Sequence, residues 1–166
     1  DIINGMYLHT RQPLKNPNLI LVFGGIGAGK TTSATQKGGI FTQLGIASHS
    51  VINCDVDSII QCLPEFKNSS NLEQKYMEHR GKAKLCQNAA VSHTLEAKQH
   101  LILEWTNENN LRDFCLRQPI YLDNAFPYDK AQEHNIVFYF VKCKDVESIL
   151  AATNTREKTD GRHIPE

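Results

Sequence analysis

The sequence has no apolar run near the roughly 18–20 residues that a membrane-spanning helix needs. Its clearest runs, Leu19–Phe23 and Ile136–Val141, are strand-sized. It also has no excess of either charge, since 18 Lys+Arg balance 18 Asp+Glu. A neutral chain does not hold an anionic membrane or a long nucleic acid through its overall field, which argues against both as partners. The five cysteines, Cys54, Cys62, Cys86, Cys115 and Cys143, form no Cys-x-x-Cys pair and no Cys/His cluster at zinc spacing. They read as reduced, mostly packed residues without chemistry, in a cytoplasmic setting. The histidines, His93 and His134 among them, show no ligand spacing and read as surface or packing residues. With 10 glycines, 6 prolines and 40% hydrophobic residues in 166, collagen-like and disordered chains are excluded. Neither a start methionine nor a secretory signal opens the sequence at Asp1-Ile2-Ile3-Asn4, so the chain reads as trimmed or partial.

What is present alternates between strand and helix patterns. Residues 1–18 form a polar lead-in broken by Pro13 and Pro17, and one domain is expected over 19–166. Leu19–Phe23, closed by glycines, predicts a strand buried on both faces. A helix from about Gly29 follows, shortened or kinked by Gly38-Gly39. Val51–Cys54 predicts a second strand, and Ser58 with Gln61 a capping box for the next helix. Residues 72–99 favour helix, with Gly81 as a point of division, and Leu101–Leu103 predicts a third strand. After an unassigned polar stretch and Ile120–Leu122, Ile136–Val141 predicts another strand and Val146–Ala152 a helix. This order points to an α/β fold, a mostly parallel sheet flanked by helices.

Gly24-Gly25-Ile26-Gly27-Ala28-Gly29-Lys30-Thr31 matches G-x-x-x-x-G-K-[ST]. At ordinary glycine usage such a match arises by chance in roughly one chain per hundred or fewer. It also stands where the motif must, after a strand and before a helix. Glycines let the backbone curl so that N–H groups converge on phosphate oxygens, and the helix start adds partial positive charge. The expected nucleotide contacts are Gly25, Gly27, Ala28, Gly29, Lys30, Thr31 and Thr32. Lys30 would reach the β/γ-phosphates, and the Thr31 hydroxyl would ligate Mg²⁺; the loop alone does not choose between kinase, GTPase and motor. The fold expected is therefore a P-loop NTPase three-layer sandwich. No Asn-Lys-x-Asp element for guanine is present, which disfavours a GTPase.

In such sheets ligands sit outside the carboxyl ends of the strands. Asp55 and Asp57 follow the second strand there; Asp57 fits a proton acceptor, a metal holder or a helix cap, and Asp55 reads as structural. Glu104 closes the third strand and can organise Mg²⁺ or the nucleophile, with Asp123 as a competitor. Arg156 and Arg162 can neutralise a transferring phosphoryl group, or form a solvated basic segment.

Together these pieces resemble the zeta-toxin family of small P-loop kinases over about Leu19 to Glu166. The resemblance is carried by Asp55-Val56-Asp57-Ser58 with Leu63-Pro64-Glu65-Phe66, by Glu104-Trp105-Thr106 (Glu-Gly-Thr in the family), and by Arg156 with Gly161-Arg162-His163-Ile164-Pro165-Glu166. It implies that Lys30 and Thr31 hold ATP and Mg²⁺, and that Asp57 is the base on a substrate hydroxyl. It further implies that Glu104 and Thr106 line the substrate side, while Arg156 and Arg162 close over the γ-phosphate from a lid. Family members include toxins that phosphorylate an amino-sugar nucleotide, so a small-molecule acceptor and an antitoxin or chaperone partner are expected. The chain would then work in its own cytoplasm or in that of a target cell. Trp105 stands where the family has glycine, predicting an indole against the substrate pocket, and residues 107–125 read as an insertion or a different substrate loop. Other readings are a kinase of a nucleoside, an antibiotic or a polynucleotide end, and a nucleotide-binding switch with slow NTPase activity.

Overall fold

The computed structural model describes residues 12–25, 27–63, 72–118, 120, 126–142 and 147. Four strands form one sheet: β1 (Asn18–Phe23), β2 (Val51–Asn53), β3 (His100–Trp105) and β4 (Asn135–Phe140). Their order is β2-β3-β1-β4 and every pairing is parallel, so their carboxyl ends share one rim. The helices are α1 (Lys30–Thr35), α2 (Ile40–Gln43), α3 (Val56–Cys62), α4 (Leu72–Glu96), α5 (Glu108–Cys115) and α6 (Tyr128–Ala131). The α/β architecture and the parallel sheet are those expected from the alternation.

The strand residues alternate between two cores, as the two-residue side-chain period requires. Leu19, Leu21 and Phe23 pack with Leu101, Leu103 and Trp105 under Val91 and Leu95 of α4 and Phe114 of α5. Ile20, Val22 and Ile102 face the other way, against Ala34 of α1 and Ile40 and Phe41 of α2. A third cluster joins Ile59, Ile60 and Leu63 at α3 to Tyr76 and Ala83 of α4. No described helix is long and apolar enough to cross a membrane.

Several expectations change. The Gly38-Gly39 pair does end the first helix: α1 stops at Thr35 and α2 starts at Ile40. Gly81 does not divide the long helix, which runs unbroken from Leu72 to Glu96. A lone exposed glycine costs only about 1 kcal/mol of helix propensity, less than the packing of a 25-residue helix supplies. Ser58 is not the cap of α3. Asp55 is, accepting from the Ser58 N–H at 2.8 Å and from its hydroxyl at 2.5 Å. Of the cysteines, Cys54 is buried and Cys86 half-buried, but Cys62 and Cys115 are exposed; all four are free. Part of the unassigned stretch is the helix α5, whose Phe114 enters the aromatic core against Trp105 and Phe126. Ile120 packs at the edge of the same core, whereas Cys143, residues 121–125 and the helix expected over Val146–Ala152 fall outside the described residues, Glu147 apart.

His134 is buried, its ring nitrogens 3.2 Å from the carbonyl oxygens of Lys130 and Gln99. His100 accepts the Asn18 N–H at Nδ1, 3.0 Å away. Burial, then the nearby His134, push the His100 pKa below its ordinary 6.5. The fold therefore favours neutral His100, and this contribution is lost as pH falls through the lowered value. The melting temperature should fall from pH 7 toward pH 5, and by less in His100→Gln. Glycine substitutions should act with opposite signs. A Cβ on Gly39 would strike the carbonyl oxygens of Ser33, Ala34 and Gln36, whereas one on Gly81 meets nothing within 4 Å. In denaturant melts, Gly39→Ala should cost about 1–3 kcal/mol and Gly81→Ala should gain about 0.5–1 kcal/mol.

Candidate active site

The glycine-rich segment leaves the buried end of β1 and turns straight into α1. Gly24 N–H donates to the Trp105 carbonyl at 3.3 Å, and Val141 N–H donates to the Phe23 carbonyl at 2.7 Å. The loop is thus anchored between the ends of β3 and β4. Gly27 and Gly29 both take φ of 73°, a left-handed conformation in which a side chain would be strained. A Cβ on Gly25 or Gly29 would meet nothing within 4 Å, so the loop faces open space there. Lys30 Nζ donates to the Gly24 and Gly25 carbonyls at 3.0 and 3.1 Å, which lays the ammonium along the loop. Ala28 stands in the turn that follows Gly25, and Thr32 is exposed in the first turn of α1.

Glu104 belongs to the face of β3 that carries Ile102, and Val22 of β1 lies opposite it. That face looks toward α1. The Thr31 hydroxyl accordingly donates to Glu104 Oε1 at 2.6 Å. Thr31 and Glu104 come together from positions 73 residues apart, a contact the sequence does not reveal. A hydroxyl and a carboxylate are the hard oxygen donors that Mg²⁺ prefers, usually beside phosphate oxygens. Among the described residues no group of three or more His, Cys, Asp or Glu could hold a metal by itself. The pair therefore fits an ion that arrives with a nucleotide.

Trp105 corrects an expectation. It shares its face with Leu101 and Leu103, so its indole turns into the core, only 5% exposed, with ring centroids 5.4 Å from Phe23 and 5.9 Å from Phe114. It does not fill the space beside the loop. Thr106 follows it off the end of the strand and is exposed.

Asp55 and Asp57 leave the rim beyond β2. Asp55 caps α3, which frees Asp57 from that task. The Tyr76 hydroxyl of α4 donates to Asp57 Oδ1 at 2.6 Å. Tyr76 carries no sequence signal beyond its place in a helical pattern, and sequence reasoning gave it no role. Cys54, just before, sits 4.0 Å from the Thr94 hydroxyl; burial pushes its thiol up to about 12, so it stays protonated. Because β3 lies between β2 and β1, Asp57 and the loop stand on either side of Glu104 along the rim. Two strand spacings amount to about 10 Å. Asp123, Arg156 and Arg162 lie outside the described residues.

A sequence profile of the zeta toxin family matches residues 6–166. No curated protein sequence matches the chain. A solved structure from work on the PezAT chromosomal toxin-antitoxin system of Streptococcus pneumoniae superposes with a TM-score of 0.58 at 17% identity. It covers 96% of this chain, which in turn spans only 63% of that protein. A protein from Chloroflexus aurantiacus, described as a candidate kinase, gives a TM-score of 0.52 at 16% identity over 90% of this chain and 72% of its own. With the P-loop kinase fold in common and the profile running over nearly its whole length, this chain belongs to the zeta toxin family.

Proposed function

We propose that residues 19–166 carry the core of an ATP-dependent phosphotransferase that moves a γ-phosphoryl group to the hydroxyl of a small molecule. The observation that supports this most is the row of groups along one rim. Lys30 and Thr31 open α1, Glu104 bonds the Thr31 hydroxyl, and Asp57 stands beyond β2. Membership of the family supports the same reaction.

Asp57 accepts the proton of the acceptor hydroxyl as its oxygen forms the new P–O bond, while the bond to the departing ADP breaks. Lys30 binds the phosphates, and its ammonium offsets charge that develops on them. Thr31 would hold Mg²⁺, which supplies charge neutralisation on the phosphate oxygens, and Glu104 would orient the Thr31 hydroxyl from the neighbouring strand. Thr106, exposed just past the end of β3, would line the acceptor side. Arg156 and Arg162, which match the lid arginines of the family's pattern, would neutralise charge on the transferring phosphoryl group. Nucleotide sugars are the first acceptors to test, and a protein antitoxin is the first partner, given the toxin-antitoxin system to which one structural neighbour belongs.

The protein incubated with γ-labelled ATP, Mg²⁺ and a small-metabolite extract should label one metabolite. Asp57→Asn should cut that transfer at least about a hundredfold, with ATP affinity nearly unchanged. Free phosphate released equally by both proteins would reject Asp57 as the base. Chelation of Mg²⁺ should abolish transfer. Glu104→Gln should raise the Mg²⁺ concentration for half-maximal rate by about tenfold, and an unchanged requirement would remove Glu104 from the ion's surroundings.

A further inference from the structure

We infer that Tyr76 is a positioning residue for Asp57: its phenol holds the carboxylate in the orientation from which it takes the acceptor's proton. The inference rests on the reading of Asp57 as the base. Tyr76 is 6% exposed, and its ring is packed among Ile59, Ile60, Leu63 and Ala83. A ring so enclosed has little freedom, so its hydroxyl is a fixed donor at the α3–α4 contact. The 2.6 Å distance to Asp57 Oδ1 is that of a charge-assisted hydrogen bond.

A buried phenol needs some partner, and a backbone carbonyl would serve that need equally well. The hydroxyl here donates to an acidic side chain in the first turn of α3. Asp in that position competes among rotamers, because its oxygens can also turn back onto backbone N–H groups at the helix start. Asp55 already takes the Ser58 N–H, and the phenol draws Asp57 toward α4. Two neighbouring acids thus have different tasks, one closing the helix and the other set by a contact 19 residues away. A carboxylate has about four acceptor positions, and the phenol takes one of them. Fixing its plane in advance removes an ordering cost from the transition state.

Tyr76→Phe removes the hydroxyl and keeps the ring. In the isotope-labelled full chain, Asp57 should show Hα–Hβ couplings of a single rotamer, and averaged couplings in Tyr76→Phe. In wild type the Tyr76 hydroxyl proton should be visible as a slowly exchanging signal that Asp57→Asn abolishes. With γ-labelled ATP, Mg²⁺ and the metabolite extract, Tyr76→Phe should lower kcat about tenfold, with KM for ATP and the melting temperature nearly unchanged. Asp57 couplings unaltered in Tyr76→Phe, a hydroxyl signal unaltered in Asp57→Asn, or an unaltered kcat would each overturn the inference. Asp57→Asn separates the two failures. Transfer that survives it rejects the base itself, whereas transfer lost there but intact in Tyr76→Phe rejects only the positioning.

Discussion

The register between β1 and β3 is the constraint from which the rest of the site follows. Val22 lies opposite Glu104 and Phe23 opposite Trp105. Because strand side chains alternate, the apolar parity of Leu19, Leu21 and Phe23 fixes which face every residue of β3 takes. Glu104 is delivered to the side where α1 begins, and Trp105 to the aromatic core beneath. A slip of one residue would exchange them, placing a carboxylate among Phe23 and Phe114 and an indole against Thr31. The hydrophobic pattern thus enforces a polar contact at the site.

Much of this was legible in the sequence. β1 and the loop could be read because spacing alone defines them, with glycine where the backbone is left-handed and an apolar run before it. The acidic strand end at Glu104 was visible too, but its partner was not, since sequence cannot rank contacts across 73 residues. The face taken by Trp105 could have been read from its parity with Leu101 and Leu103. The cap of α3 was ambiguous in kind, because Asp55 and Ser58 both suit an N-terminal cap and only geometry separates them. Tyr76 had only its place in a helical pattern, which says nothing of where its hydroxyl points.

Identities of only 17% and 16% to the two structural neighbours go with TM-scores of 0.58 and 0.52, so the fold persists where most residues differ. What carries chemistry is a small set of side chains at strand ends, supported by elements that can vary widely. Asp55 and Asp57 show this division within three residues, one capping α3 and the other, bonded to Tyr76, proposed here as the base.

The order β2-β3-β1-β4 also governs how the chain is made. β1 is an inner strand made before both of the strands it pairs with: Asn18 meets His100 across 82 residues. At ordinary rates of translation that interval is on the order of ten seconds. Through it Leu-Ile-Leu-Val-Phe, the most apolar stretch of the protein, has no edge to pair with. An unpaired apolar segment of this kind invites association between nascent chains, so the late arrival of its partners sets a hazard during synthesis that the paired strand no longer carries.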